Sequence, residues 1–225
     1  HGNNLLVSTC PSATAYSQTL STGNQIASAG AVGDTTVTVD DVDLADNVIS
    51  VGDIIQFSST ADGTDFDDGE FYRVTAINTG TNVVTIVQHP RGSGGLKRVV
   101  ADNSRIKRRW RYYDAVDGGA PGTSAYVSDR SGSGDEIHVV VVDEDGGITG
   151  VPGQILETFS KLSKAADALT PQGDSNYLPT VIRNQSKHIY WVDWPTAGTN
   201  WGSNAASTTF TAINTNTLAS LSGRA

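Results

Sequence analysis

Acids and histidines are the residues here with the types for chemistry, and their spacing decides what each can do. Asp143, Glu144 and Asp145 precede Gly146 and follow an apolar run, a combination that could chelate a divalent cation or serve acid/base work. A calcium loop of the EF type needs oxygen ligands at alternate positions and a closing Glu. The fifth position from Asp143 is Gly147 and the twelfth is Gln154, so the pattern fails. A charged turn, solvated at its tip, is expected instead. Acid-rich loops recur at Asp40, Asp41, Asp43 and Asp46, and at Asp62, Asp65, Asp67, Asp68 and Glu70, where ordinary turn chemistry accounts for Asp and Gly. Hydrolysis needs a nucleophile beside a base. Ser133 stands between Gly132 and Gly134 but outside any Gly-x-Ser-x-Gly elbow. His89, His138 and His188 are scattered, without a neighbouring Cys or the His-x-x-x-His spacing of zinc sites. His138, inside a valine run, is expected to be a strand residue with a hydrogen-bonded ring. Gly92-Ser93-Gly94-Gly95 lacks the Lys-Ser/Thr of a phosphate loop. No catalytic residue, cofactor or metal is expected.

Charge is more informative than any pocket-like motif. The net charge is -9, yet residues 1 to 72 hold eleven acids and no Lys or Arg, while residues 91 to 111 hold eight basic residues against Asp102 alone. Within that stripe Lys107, Arg108, Arg109 and Arg111 flank Trp110, an interleaving that single-strand nucleic-acid binders also show. The isoelectric point near 4.7 gives a poor overall field for a polyanion, and no nucleic-acid partner is expected. A basic connector packed on an acidic domain, or on an acidic neighbouring subunit, accounts for both halves of the pattern. Trp110, Tyr112 and Tyr113, and then Trp191, Trp194 and Trp201, form two aromatic clusters of the residue types enriched at contact anchors. Cys10 stands alone, which excludes an internal disulfide and fits a reducing cytoplasm. No apolar run nears the roughly 18 residues that span a bilayer, so no membrane insertion is expected.

These residues are carried by two kinds of pattern. From Gly30 to Pro90 the periodicity is two, with strands expected at Thr35 to Val39, Asp53 to Phe57, Phe71 to Ile77 and Val83 to Val87, separated by turns such as Gly33-Asp34, Gly52-Asp53 and Asp62-Gly63. That spacing predicts a small antiparallel β-barrel or sandwich, with Gly92 to Gly95 as a flexible exit. Beyond it the class changes. Ile137 to Val142 is a β-branched strand covered on both faces. From Gly153 to Leu169, Ile155, Phe159, Leu162, Ala166 and Leu169 recur at steps of four and three, which predicts an amphipathic helix. A second helix is expected from Tyr177 to Gln185 and a strand from His188 to Val192. The Thr- and Asn-rich segment from Pro195 to Thr217 is expected to be an extended arm or loop.

One family resembles this chain at specific residues. The buried run Ile137 to Val142, the turn Asp143 to Gly146, and an expected helix opening at Gly153 with Leu156-Glu157 and the Leu162-Ser163-Lys164-Ala165 run resemble the core of the contractile tail sheath proteins of T4-like bacteriophages. Trp110 with Pro121-Gly122-Thr123-Ser124, and Gly2-Asn3-Asn4-Leu5, match as well, and Ser220-Leu221-Ser222-Gly223 resembles the family's SLSGG segment with Arg224 in place of its second glycine. From about Ser17 to Arg105 there is no such match. Because His1 opens the chain and no Met occurs in it, an excised piece is expected. Resemblance and composition together predict a β-rich α+β protein, with residues 1–16 giving the first strand of a sheath domain, 17–105 an inserted β-barrel or sandwich, and 106–225 the α+β sheath domain.

The resemblance implies a non-enzymatic, structural and mechanical function in the virion, assembled in the host bacterial cytoplasm. Subunits stack as hexameric rings around a tail tube protein and contract to drive it through the host envelope. The partners implied are other copies of the subunit and the tube protein. Candidate contact residues are Lys107, Arg108, Arg109, Trp110, Arg111, Asp143, Glu144 and Asp145. The alternative from another class is a surface- or carbohydrate-binding β module of a virion or cell-surface protein, working through its acidic loops.

Overall fold

A computed structural model describes residues 4–43, 48–66, 70–213 and 217–222. Gly2, Asn3, Asp46, Asp67, Asp68, Gly223 and Arg224, singled out above, lie outside them. The protein is β-rich α+β, with two antiparallel sheets and few helices. It divides into two compact units, one of residues 1–16 with 112–225 and one of residues 17–111.

The first unit is built on β1 (Asn4–Cys10), β8 (Glu136–Asp143), β9 (Gln154–Ser163) and β10 (Thr217–Ser222), in the order β10-β1-β8-β9. All eight residues of β8 are buried, as a β-branched run covered on both faces requires. Ile137, Val139 and Val141 pack with Phe159 and Leu162 against Leu178, Val181 and Ile182 of helix α3 (Leu178–Gln185). Pro179 sits in the first turn of α3, where a missing amide hydrogen costs little. The segment from Gln154 to Ser163 is a strand, not the expected helix. Register shifts at Ile137/Val139 and Val141/Val142 insert extra residues into β9, and Lys161 adopts a positive φ of 53°. Bulges of this kind break the period of two, so Leu156, Phe159 and Leu162 reach one core at helix-like intervals of three. The expected strand from His188 to Val192 joins neither sheet.

Residues 195–213 carry no strand or helix, yet they do not form an extended arm. Trp201, Ala205 and Phe210 pack with Val127, Ala165 and Ala168, and Phe210 N donates to Ser133 O at 2.9 Å. A few large anchors suffice because the small residues between them let the loop lie close. Two short helices, α1 (Ala13–Tyr16) and α2 (Ala125–Ser128), complete this unit.

The second unit is a sheet in the order β2-β7-β4-β5-β6-β3, with β2 at Ser17–Thr19, β3 at Thr36–Thr38, β4 at Ile54–Ala61, β5 at Phe71–Asn78, β6 at Val83–His89 and β7 at Ser104–Arg109. Its apolar faces meet in one cluster that includes Ile26, Val37, Phe57, Tyr72, Ile86 and Ile106. Beyond β2 the chain bridges Ile26 to Val39, so the continuations of the two edge strands meet. Strand β7 belongs to this sheet, which moves the start of the other unit from residue 106 to Tyr112. Gly92 to Gly95 is not a flexible exit: a Cβ on Gly95 would lie 2.2 Å from the Asp34 carbonyl oxygen, so this glycine is held against another turn. Among the described residues no helix is long and apolar enough to cross a membrane.

Candidate functional site

The acidic turn forms where β8 ends, and Asp143 organises it rather than lining an open cleft. Its side chain is fully buried, and Oδ2 accepts from Ile148 N (3.0 Å), Thr149 N (2.7 Å) and Thr149 Oγ1 (2.8 Å). Burial pushes the carboxyl pKa up, but the hydrogen bonds from Thr149, Ile148 and Gly146 outweigh it and hold it below the ordinary value. Asp145 caps the same turn by accepting from Gly147 N at 2.9 Å. Glu144 and Asp145 are exposed. Among the described residues no three His, Cys, Asp or Glu side chains are grouped to hold a metal ion.

The basic stripe lies on β7, whose residues alternate between buried and half-buried. Arg108 is buried and donates to Val48 O at 2.8 Å and Gln18 Oε1 at 3.2 Å. Arg109 Nε donates to Gln56 Oε1 at 3.2 Å, and its guanidinium lies 5.4 Å from the Phe71 ring centre. Lys107 Nζ lies 5.5 Å from that of Phe66, and Trp110 is wholly buried. Arg111 is half-buried beside Gly52. Much of the stripe is thus used inside its own sheet, on carbonyl, amide and ring partners rather than acids. The Asp143-to-Asp145 turn and the β7 stripe belong to different units.

A buried polar cluster at the start of β8 was not legible in the sequence. Asp135 accepts from Ser124 N (2.8 Å), Ser124 Oγ (2.9 Å) and Ser163 Oγ (2.5 Å), which ties the Pro121-to-Ser124 segment to the end of β9. Lys164 is fully buried beside it, donating to Pro11 O and Gly134 O, both at 2.8 Å, with the Trp201 ring centre at 4.9 Å. Burial pushes its ammonium down to about 8, against the opposing pull of Asp135, Cys10 and Glu136. The sequence around Lys164 carries no signal for it, because its partners are carbonyls far away in sequence. His138 is also spent structurally: Lys161 N donates to Nδ1 (3.0 Å), which leaves Nε2–H to donate to Gly119 O (2.9 Å). Its burial, with Lys161 nearby, lowers its pKa despite the Gly119 bond. Ser133 donates to Thr209 Oγ1 at 3.3 Å, not to a histidine.

An apolar groove of about 610 Å³ opens over Val7, Ile137 and Val139 of the four-stranded sheet, walled by α3 and the segment 188–195. Trp191 and Trp194 pack edge to face at 4.4 Å, and Trp194 and Trp201 at 5.3 Å. The second aromatic cluster of the sequence is therefore one connected wall. No family model matches the chain, and no curated protein matches it.

Proposed function

We propose that this chain is a structural subunit of a contractile phage tail sheath, stacking with other copies as hexameric rings around a tail tube protein and rearranging to drive the tube through the host envelope. The observation that supports the reading is where the resemblance falls. Asn4-Leu5, Pro121 to Ser124, β8 with its acidic turn, Leu156-Glu157 and Leu162 to Ala165 lie in one compact unit, whereas residues 17–105, without resemblance, lie in the other, which also holds the matched Trp110. In this reading the six-stranded unit is a small β-barrel inserted into a sheath domain, which the Ile26–Val39 bridge favours.

Contraction needs two packings of the same surfaces separated in free energy, with no bond cleaved. Of the contact candidates, Glu144 and Asp145 are the exposed ones. Arg108, Trp110 and Asp143 serve their own unit, and Lys107, Arg109 and Arg111 are half-buried. The test is to co-express the parent reading frame with the adjacent tube gene and image the product by electron microscopy. Stacked rings around a tube are expected. Dispersed subunits that bind glycans in an array would overturn the reading and favour the surface-binding module.

A further inference from the structure

The groove over the four-stranded sheet combines two kinds of lining. Val7, Ile137 and Val139 of the sheet and Leu178 and Ile182 of α3 supply aliphatic carbon, while Tyr190, Trp191, Trp194 and Trp201 supply aromatic rings. Adjacent rings meet at 62° between Trp191 and Trp194 and at 82° between Trp194 and Trp201, so the aromatic wall has corners rather than one flat platform. Trp201 already meets a cation, since Lys164 Nζ lies 4.9 Å from its ring centre. That leaves Tyr190, which is 84% exposed, and the half-buried Trp191 and Trp194 to face an incoming group. Charge at the groove is one-sided. Among the described residues that line it, Asp193 is the one acid, and none is Lys or Arg. The Asp193 side chain is exposed, and its Oδ1 accepts from Trp194 N at 2.8 Å, which fixes the carboxylate beside the aromatic wall.

We propose that this groove binds a small organic cation, a quaternary ammonium head with an apolar chain, the head against Trp191, Trp194 and Asp193 and the chain along Val7, Ile137 and Val139. The negative faces of aromatic rings and a carboxylate favour the same sign of ligand. A methylated head suits the lining better than a primary amine, which is strongly hydrated and would lose its water to a surface made mostly of carbon. A planar ligand gains most from a flat platform, whereas a rounded head touches both sides of a corner. The groove, at about 610 Å³, is larger than such a head alone needs and has the size of a small-molecule site, which is why the ligand includes a chain. All of its lining residues belong to the first unit, and the inference does not depend on the sheath reading.

Isothermal titration calorimetry of the whole chain tests this, with circular dichroism confirming that each variant is folded. Hexyltrimethylammonium should bind with a Kd of about 1 mM or below, and choline, which lacks the chain, more weakly. The neutral compound of choline's shape, 3,3-dimethyl-1-butanol, should bind at least about fivefold more weakly than choline. D193N keeps an acceptor for Trp194 N while removing the charge, and should weaken hexyltrimethylammonium by about threefold to fivefold. W191A should weaken it by about tenfold or more, and W191F, which keeps a ring, should retain most of the affinity. No binding of hexyltrimethylammonium up to tens of millimolar, equal affinity for choline and its neutral counterpart, or a D193N protein that binds as wild type does would each overturn the proposal.

Discussion

Replacing Lys164 by Met should change how the stability of the first unit depends on pH, and the direction follows from the burial of one amine. The side chain is fully buried and its pKa is pushed from 10.5 down to about 8. The unfolded chain therefore binds the proton more tightly than the folded one, and stability rises with pH between those two values. The gap corresponds to about 3 kcal/mol, fully incurred below pH 8, of which about 2 kcal/mol is relieved between about pH 8 and pH 10. Lys164→Met removes that dependence. At neutral pH it also removes the charge burial, but it leaves the Pro11 and Gly134 carbonyls without this donor, at about 1–3 kcal/mol each. Wild type and variant should therefore be close in stability at neutral pH and diverge as the pH rises, with wild type gaining. Urea unfolding reports it, because Trp191, Trp194 and Trp201 all lie in this unit. Parallel stability curves for the two proteins from about pH 8 to 10 would refute the assignment.

Three further outcomes are expected. The lowered pKa of His138 means the unfolded chain takes up that proton first, so the first unit should lose stability as pH falls below the ordinary 6.5, and His138→Gln should flatten this decline in melting temperature. Gly95→Ala forces a methyl group into the Asp34 backbone and should destabilise the second unit by roughly 1–3 kcal/mol or more, while Ala at Gly33, where φ is +92° and space is open, should cost only about 1 kcal/mol by thermal melting. Arg108→Glu puts an acid where a buried guanidinium donates to Val48 and Gln18, and should unfold the second unit by circular dichroism, whereas Arg91→Glu on the surface should leave it intact.

Where sequence patterns led to the fold, each position had one reading. Val139 to Val142 of β8 is an unbroken β-branched run, and the first halves of β5 and β6 keep their alternation between turn residues. The failures share a cause, since the pattern that was read belonged to something other than the local backbone. In β9, bulges set by pairing with β8 converted a strand's spacing into a helix's. In β7 the buried positions are taken by Ser104, Ile106 and Arg108, so an alternation of burial did not show as one of hydropathy. The acidic turn was legible because its ligands are its own next residues. Lys164 was not, because Pro11 and Gly134 meet it only in the finished fold.

Strand β1 lies between β10 and β8, pairing Leu5 with both Leu221 and Asp143. On the ribosome, Leu5 emerges early, yet neither neighbour exists until Asp143 and then Leu221 have been made. Residues 17–111 can complete their sheet as soon as Arg111 clears the exit tunnel. At typical synthesis rates the first unit lags by roughly 5–20 s, during which β1 first waits for β8 and then still lacks β10. The β-sheet inside the chain should therefore mature first, and any folding factor that acts during translation has its clearest target in Leu5, Leu6 and Val7.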